Sequence, residues 1–538
     1  MTDYLKIGRA SELKGRDYRF YRFLESLPGI LSLGTLLVLT ILAYFKPTWV
    51  AYFMIAFDTY WLIQILYMAV YLIASYRNVQ RNNKIDWKEN CYLLNPDTPK
   101  IPEDCLAKKG VAWSDIYQLI ILPTYNEDIG IIQTALDSIK KSAWPKNRLI
   151  VVLAMEERAG EAARERAKKI KTEYADSFGN FIITFHPDGI VGEIKGKGAN
   201  QAWAGRQVRE EIVDSQKIPY DKILVSVFDI DTVISSDYFF LLTHKFLTVS
   251  RPYRASYQPV PLYHNNIWSA PFFSRVSAAS NTFWQMMMQV RQDKLVTYSS
   301  HSMTWQALID IDFWSPKMVS EDSRIFFHCL MHYKGDYRTE PLYTTISMDI
   351  TADKDFKSTA LSLYKQQRRW AWGAENVAYL VFNYFKLPKA TPQRRKVFKQ
   401  IWVQLYGFHS WGTSALIIGV IGWLPVLLGG GRFNGTVLSG NLPAVTSFLM
   451  NLAMVGMVLS AVVSSLLLPE RPKGYSRWKK VGLIAEWVFV PVNIIIFGAI
   501  PCLDAQIRLM LGKYMGFWVT PKNRLKEEDS EVRENLLS

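Results

Sequence analysis

Apolar runs of two lengths lie along this chain, with the short runs grouped between the long ones. The long runs lie at residues 30–45, 49–76, 401–428, 443–468 and 481–511. The short runs lie at 117–122, 149–154, 181–185 and 223–228, with helical stretches such as 131–142 and 161–175 between them. The long runs are near the ~20 residues that a membrane-crossing helix needs. The short runs predict buried strands, and their alternation with helices predicts an α/β domain with a mainly parallel sheet.

These patterns divide the chain into six parts. The first long run is not followed by a small-residue cleavage site, so we interpret it as an anchor and not as a removed signal peptide. The parts are a basic N-terminal segment at 1–28, a transmembrane hairpin at 29–76, an α/β domain at 77–350, an amphipathic interfacial segment at 351–398, a transmembrane region at 399–511, and a final segment with a charged tail at 512–538.

Composition and charge support a membrane protein. Of 538 residues, 49% are hydrophobic, and the formal net charge is +15. The basic residues flank the long runs, as at 77–88 and in the loop 471–480, so the positive-inside rule predicts an integral protein of the cell (inner) membrane with a cytoplasmic α/β domain. The same placement argues against nucleic-acid binding, because no basic stripe forms. The four cysteines have no metal-ligand spacing.

A pair of carboxylates ends the fourth short run. Asp229 and Asp231 follow the apolar stretch 223–228, where an open α/β sheet binds its ligands. Two hard oxygen ligands suit Mg²⁺ or Mn²⁺, which leave other coordination positions for water and phosphate. A turn that leads to a helix cap at 235–237 would explain the same residues.

Four other segments carry candidate chemistry, and each has a simpler structural explanation. The first strand ends in Pro123, Tyr125 and Glu127, which also suit an ordinary turn. Lys197 lies in a small-residue loop before a helix, where phosphate binds, although a solvated basic loop looks the same.

The other two segments lie further along the chain. Glu321 and Asp322 begin a helix, where acids usually act as caps, although a carboxylate there could also serve as a general base. Gln366, Arg369 and Trp370 join a cation suited to diphosphate with a ring suited to a sugar or to the membrane interface.

In this order, the segments resemble the inverting family 2 glycosyltransferases, in the membrane-embedded branch that contains cellulose synthase and hyaluronan synthase. The resemblance covers residues 117–373. It includes the Pro-x-Tyr-Asn-Glu segment, the Lys loop, the Asp-x-Asp, a Ser-Glu-Asp in place of Thr-Glu-Asp, and the Gln-x-x-Arg-Trp. Near the C-terminus, 517–522 resembles the Phe-x-Val-Thr-x-Lys gating loop of cellulose synthase.

The resemblance implies a GT-A-like domain between transmembrane helices, a UDP-sugar donor, a polysaccharide acceptor, contact with membrane lipids, and metal-dependent transfer. It implies that Asp322 is the base, that Lys197 and Arg369 stabilise the leaving diphosphate, and that Asp231 and Asp229 hold Mg²⁺ or Mn²⁺. The remaining substrate-binding residues would be Pro123, Tyr125, Glu127, Glu156, Asp229, Glu321, Gln366, Trp370, Thr520 and Lys522.

The sequence also departs from the family pattern. Met155-Glu156-Glu157-Arg158 replaces the usual Asp-Asp-Gly-Ser, so recognition of the nucleotide base falls to Glu156. Five spans would leave the C-terminus outside the cell, so we predict that 481–511, which contains Pro491 and Pro501, is broken or re-entrant. A non-processive enzyme that glycosylates a membrane lipid such as a polyprenyl phosphate and, more remotely, a non-catalytic scaffold remain alternatives.

Overall fold

A computed structural model describes residues 4–469, 477–522 and 524. Most of the predicted basic loop at 471–480 and of the predicted charged tail therefore lies outside the described residues.

The α/β domain is built on a seven-stranded sheet in the order β3-β2-β1-β4-β6-β5-β7. Strand β6 is antiparallel to both its neighbours, and the other pairings are parallel, so the predicted mainly parallel sheet is confirmed. The strands are β1 Tyr117–Pro123, β2 Leu149–Glu156, β3 Asn180–His186, β4 Ile223–Val227, β5 Ala255–Tyr263, β6 His301–Thr304 and β7 Arg338–Met348.

Helices cover both faces of this sheet, and long apolar helices precede and follow the domain in the chain. The helices up to the end of the domain are α1 Gly15–Phe45, α2 Pro47–Asn82, α3 Trp87–Leu93, α4 Ile129–Lys141, α5 Gly160–Tyr174, α6 Lys197–Val208, α7 Tyr238–Thr248, α8 Phe272–Val290, α9 Trp305–Asp310 and α10 Glu321–His332. The later helices are α11 Phe356–Ala371, α12 Glu375–Lys386, α13 Arg394–Gly419, α14 Leu424–Leu428, α15 Gly430–Asn434, α16 Val437–Leu467, α17 Arg477–Ala485, α18 Val490–Ile494 and α19 Ile500–Met510.

The two faces of the sheet carry separate apolar cores. Strand residues that alternate along β1 and β2 point to opposite faces, because successive side chains in a strand do so. Ile120 and Leu122 belong to the core under α4 and α5, whereas Leu119 and Ile121 belong to the core under α6 and α10. Both faces of the central strands are therefore apolar, as a buried parallel sheet requires.

The order of the strands defines a crevice. From β1 the chain moves outward through β2 to β3, and it then returns to place β4 on the other side of β1. Ligands of open α/β sheets bind where the strand order reverses in this way, outside the carboxyl ends of the strands. Pro123 ends β1 and Val227 ends β4, so the residues after both strands lie at this crevice.

Five helical segments are long and apolar enough to cross a membrane, among the described residues. They are Gly15–Phe45, Pro47–Asn82, Arg394–Leu428, Val437–Leu467 and Val481–Met510. Their apolar side chains are largely exposed, for example Leu37, Phe448 and Val488. This exposure is what helices that face lipid would show.

The last of these segments differs from the others. Near its start, Glu486 accepts a hydrogen bond of 2.9 Å from Arg275 of α8. At its end, the carbonyl of Leu509 accepts a bond of 2.9 Å from Arg22, near the start of α1. Between these contacts it is interrupted by a π-helical turn at Ile495–Ala499, with Pro491 and Pro501 on either side. Both of its ends therefore contact helices near the α/β domain.

The predicted interfacial segment divides into two unlike helices. In α11, Phe356 and Leu361 are exposed, as expected for an amphipathic surface helix. In α12, Tyr379, Leu380 and Phe382 are fully buried. They join the apolar clusters below α10 and beside the N-terminal segment. Large apolar side chains of α11 are therefore exposed, whereas those named in α12 are packed inside the protein.

Candidate functional site

A lysine lies at the centre of the crevice. The ammonium of Lys197 is 2.8 Å from Oδ1 of Asp229 and 2.8 Å from Oδ1 of Asp322. It is also 3.0 Å from Oδ2 of Asp322 and 3.7 Å from Oε1 of Glu321. One cation thus joins the Asp-x-Asp segment after β4 to the acidic start of α10.

Local structure explains why these groups meet. Lys197 is the first residue of α6, and Glu321 and Asp322 open α10, so all three lie where helix dipoles are positive. The side chain of Asn200 donates a 2.7 Å bond to the carbonyl of Ala154, which fixes the start of α6 to the end of β2. The hydroxyl of Thr297 donates a 2.6 Å bond to the carbonyl of Asp322.

The electrostatics of this group are strongly perturbed. Burial opposes the charge on Lys197, but the carboxylates of Asp229, Asp322 and Glu321 outweigh it and raise the pKa of the ammonium. Burial likewise opposes the charge on Asp229, yet Lys197 and Lys522 hold its pKa below the ordinary range. Burial and then the neighbouring charge of Asp322 raise the pKa of Glu321 to about 8. This shift favours the protonated, neutral form of Glu321.

The second acid of the doublet faces a different cation. Asp231 is 1% exposed, and its Oδ1 contacts the ammonium of Lys522. Its Oδ2 accepts a 2.8 Å bond from the backbone N–H of Asp349, just after β7. Burial raises the pKa of Asp231. The positive charge of Lys522 lowers this pKa, and the negative charges of Asp349 and Asp229 raise it further.

The C-terminal segment, which we define as residues 512–522 with Arg524, lies in the crevice. Phe517 packs so closely on Gly196 that a Cβ built there would be 2.5 Å from the Cβ of Phe517. Thr520 is buried, and Lys522 forms a parallel bridge with Ala352. The guanidinium of Arg524 lies 2.6 to 3.0 Å from the carboxylate oxygens of Asp349.

A cavity lies beside the ends of β2 and β3. It encloses about 70 Å³ and is lined by Glu156, Arg158, His186 and Glu193, among others. Glu156 is paired with Arg158 through both carboxylate oxygens, and the guanidinium of Arg158 lies 4.2 Å from the centre of the Tyr125 ring. A paired carboxylate thus borders this small space, and Tyr125 contacts Arg158, one of the residues that line it.

Glu127 does not face this cavity with a free carboxylate. Its Oε2 accepts bonds from the Thr124 hydroxyl at 2.8 Å and from the Tyr125 backbone N–H at 2.7 Å. The acid therefore stabilises the turn after Pro123, which is the simpler explanation of this segment. In this position it orients Tyr125.

The Gln-x-x-Arg-Trp segment lies on α11, against the C-terminal segment. The guanidinium of Arg369 is 4.8 Å from the centre of the Phe517 ring. Gln366 accepts a 2.7 Å bond from the hydroxyl of Thr351, and Trp370 is partly buried on the same helix. Arg369 is also close enough to Glu321 to lower its pKa, so this cation reaches the lysine-centred group.

The oxygen ligands present fit a divalent cation bound together with a phosphate. Within the described part of the chain, no three His, Cys, Asp or Glu side chains converge in a way that would hold a metal ion. Mg²⁺ in nucleotide sites commonly takes only one or two carboxylates, and phosphate and water supply the rest. The observation that favours a cation here is the ammonium of Lys522 on the buried Oδ1 of Asp231.

Several residues of this site are not found by the sequence reasoning. Ser299 donates a hydrogen bond to Oδ2 of Asp229, and the Ser300 hydroxyl accepts a 3.1 Å bond from the Asp229 backbone N–H. His301 is fully buried beside them, and its Nδ1 lies 2.8 Å from the Tyr298 carbonyl. Asp349 could have been found, because it follows a strand just as Asp229 does.

Comparison with known proteins places this geometry in a class. A model of the glycosyl transferase family group 2 matches residues 224–480, just under half of the chain. The match covers Asp229, Asp231, Asp322 and the Gln-x-x-Arg-Trp segment, and with the α/β sheet it supports a family 2 glycosyltransferase with a GT-A-like fold. No curated protein matches the chain.

Two solved structures are similar to this chain at low identity. The mannosyltransferase PcManGT from Pyrobaculum calidifontis, in complex with GDP-Man and Mn²⁺, is 13% identical, with 86% of this chain and 100% of that chain covered and a TM-score of 0.40. TarS 1-349 of S. aureus, in complex with UDP-GlcNAc, is 14% identical, with 65% and 91% covered and a TM-score of 0.34. We draw no functional conclusion from either.

Proposed function

We propose that this protein transfers a sugar, with inversion, from a UDP-sugar to a growing polysaccharide at the cytoplasmic face of the inner membrane, and that transfer is coupled to export. The observation that carries the proposal is the contact of Lys197 with both Asp229 and Asp322, which are 2.8 Å from the same ammonium. This contact means that the candidate diphosphate site at Asp229 and the candidate base Asp322 lie on either side of one lysine ammonium.

Asp322 would act as the general base. Its carboxylate is 21% exposed, so an acceptor hydroxyl can approach it from the crevice. The hydroxyl oxygen would form a bond to the anomeric carbon as the bond from that carbon to the diphosphate breaks, and Asp322 would take the proton. A single displacement of this kind inverts the anomeric centre, through a transition state like that of glycoside hydrolysis.

Positive charge at the crevice would stabilise the leaving diphosphate. Lys197 and Arg369 approach it from α6 and α11, and stabilisation of developing charge is usually the largest single catalytic term. Asp231 and Asp229 would hold Mg²⁺ or Mn²⁺, which when bound neutralises charge on the diphosphate. Once Lys197 turns towards the diphosphate, Asp322 becomes free to accept a proton.

The nucleotide base would occupy the cavity beside β2 and β3. The carboxylate of Glu156 can accept N–H groups from the base, and the ring of Tyr125, which Arg158 contacts on one face, would stack on it. Arg158 pairs with that buried carboxylate and would hold it in position for the base. Glu127 would act indirectly, through the turn that carries Tyr125.

The long apolar helices support the polysaccharide and export part of the proposal. Trp370 would stack on the acceptor sugar, on the helix that also carries Arg369. The last apolar segment contacts Arg275 at one end and Arg22 at the other, as expected if it re-enters and leaves on the same side. Four full crossings would then put both termini on the side of the α/β domain, where the C-terminal segment contacts the crevice.

The test is transfer from radiolabelled UDP-sugars by membranes that contain the wild-type chain or the Asp322→Asn variant, with Mg²⁺ or Mn²⁺. A matched control is Asp176→Asn, which changes an exposed aspartate in the same domain. We expect a long product, sized by gel filtration, from the wild type and from the control, and none from Asp322→Asn. A small organic-soluble product would instead support lipid glycosylation, and no metal-dependent transfer from any donor would contradict the proposal.

A further inference from the structure

One positive group of the C-terminal segment lies on a carboxylate that the proposed reaction needs for a metal. Lys522 contacts Asp231 through the oxygen Oδ1, while Oδ2 is occupied by the backbone N–H of Asp349. Because Asp231 is 1% exposed, Oδ1 is the atom left to bind a cation. The ammonium therefore lies where the metal would have to bind.

A second ion pair fixes the segment. Arg524 and Asp349 are 1% and 0% exposed, and the guanidinium donates from two nitrogens to the carboxylate. Such buried, bidentate pairs are specific in geometry, and breaking one leaves an uncompensated charge. Asn265 also donates a 2.8 Å bond to Asp349 and a 2.9 Å bond to the carbonyl of Asp231, so both acids belong to one rigid unit.

Aromatic contacts hold the segment on the opposite side of the crevice. Phe517 lies between Gly196, just before Lys197, and the guanidinium of Arg369. The ammonium of Lys365 lies 5.4 Å from the centre of the Trp518 ring. The segment thus crosses the crevice from the diphosphate-binding side to the Asp231 side. A bound diphosphate would need the space that Phe517 covers.

We propose that Lys522 and the divalent cation compete for Asp231. In the protein without donor, the C-terminal segment blocks the metal position with its own ammonium, and the Arg524–Asp349 pair secures it there. Metal and donor must displace Lys522 from Asp231. This inference rests on the proposed function, because it takes Asp231 as the metal ligand.

Charge explains why this exchange is possible in both directions. Without a metal, Asp231 and Asp349 form a buried acidic pair that needs cations, and Lys522 and Arg524 supply them. A divalent cation brings two charges to the same group and also attracts the diphosphate, which Lys522 does not do while it is paired with Asp231. The Lys522 ammonium and the divalent cation therefore exclude each other from Asp231. The apparent affinity for the cation falls in proportion to the fraction of protein in which Asp231 is free of Lys522.

The experiment measures Mn²⁺ binding and not turnover. Electron paramagnetic resonance of free Mn²⁺ gives the Kd for the full-length protein in detergent, without any nucleotide. We expect Lys522→Gln to bind Mn²⁺ about tenfold more tightly than the wild type. This factor holds if wild-type protein with Lys522 on Asp231 outnumbers protein with Asp231 free roughly tenfold. The control is Lys513→Gln, since Lys513 is exposed on the same segment and makes no ion pair among the described residues. It should leave the Kd unchanged.

A second measurement does not depend on a lysine variant. Trypsin cleavage after Lys522, followed by mass spectrometry, reports whether this side chain leaves Asp231. We expect Mn²⁺ alone to accelerate cleavage in the wild type, and we expect Asp231→Asn to be cleaved rapidly without Mn²⁺. In Asp231→Asn, Mn²⁺ should have no further effect.

The outcomes separate this inference from the proposed function. Equal Mn²⁺ affinity in the wild type and Lys522→Gln, or weaker binding in the variant, would overturn the competition even if sugar transfer is observed. The absence of Asp231-dependent Mn²⁺ binding in every variant would overturn it as well. Conversely, tighter binding in Lys522→Gln that Asp231→Asn abolishes would support the competition even if the transfer assay fails.

Discussion

Glu321 offers the sharpest test of the electrostatics of the site. This residue is 2% exposed, and its Oε1 is 3.7 Å from the ammonium of Lys197. Burial and the adjacent charge of Asp322 raise its pKa from the ordinary value of 4.5 to about 8. We therefore expect the side chain to hold a proton at pH 7, so that Glu321→Gln would replace a neutral acid by a neutral amide of the same shape.

The stability effect follows from proton binding. Between pH 4.5 and about 8, the folded protein holds a proton at Glu321 that the unfolded chain has released. The free energy of unfolding therefore falls as pH rises through this window, by at most ~1.4 kcal/mol per pH unit. From pH 6 to pH 8 the free energy of unfolding of the wild type should fall by about 2 kcal/mol because of Glu321. This contribution should be absent from Glu321→Gln.

Thermal unfolding in detergent, followed by tryptophan fluorescence from pH 5.5 to 8.5, measures this difference. We expect the Tm of Glu321→Gln, relative to the wild type, to rise steadily with pH. The exposed Glu161→Gln is the control, and its Tm difference should stay flat. At pH 7, sugar transfer by Glu321→Gln should stay within a few-fold of the wild type. An offset between the two Tm curves that does not change with pH would refute the assignment of a proton to Glu321.

Two further substitutions examine the C-terminal segment and the cavity. Gly196→Ala would place a Cβ 2.5 Å from the Cβ of Phe517, so we expect the segment to leave the crevice and trypsin to cleave it faster. Gly516→Ala, where a Cβ meets nothing within 4 Å, is the control, and equal cleavage of both variants would contradict the packing. Arg158→Gln leaves Glu156 buried without its partner, so the KM for the donor should rise on the order of tenfold with kcat little changed. An unchanged KM would place the nucleotide elsewhere.

The central strands can be predicted because their sequences carry a simple signal. Strands β1, β2 and β4 are continuous apolar runs, and the polar residues that follow them lie at one edge because the strands are parallel. Lys197 follows no such run, and the resemblance to family 2 glycosyltransferases is what assigns it to one site with Asp229. Strands β5 to β7 carry no such signal. Pro259 and Pro261 interrupt β5, and prolines argue against a strand in a sequence.

The side-chain pairings within the site cannot be predicted, because they join residues that are distant in the sequence. Asp322 and Lys197 are 125 residues apart, and each has an ordinary local role at a helix start. The pairing of Lys522 with Asp231 and of Arg524 with Asp349 depends on how the last apolar segment returns to the α/β domain. The position of Glu127 after a strand suggests contact with substrate, whereas its carboxylate is used by its own turn.

The contacts of the C-terminal segment also set the order in which the protein can be completed during synthesis. Tyr514 donates a 2.7 Å bond to Glu25 of α1 across 489 residues, and Lys522 reaches Asp231 from the far end of the chain. Contacts so distant form late, since the intervening chain must be made and folded first. On the ribosome, the α/β domain would therefore fold while Asp231 and Asp349 lack the positive charges of Lys522 and Arg524. Any cation that binds them in that interval acts on the folding chain before Lys522 and Arg524 exist.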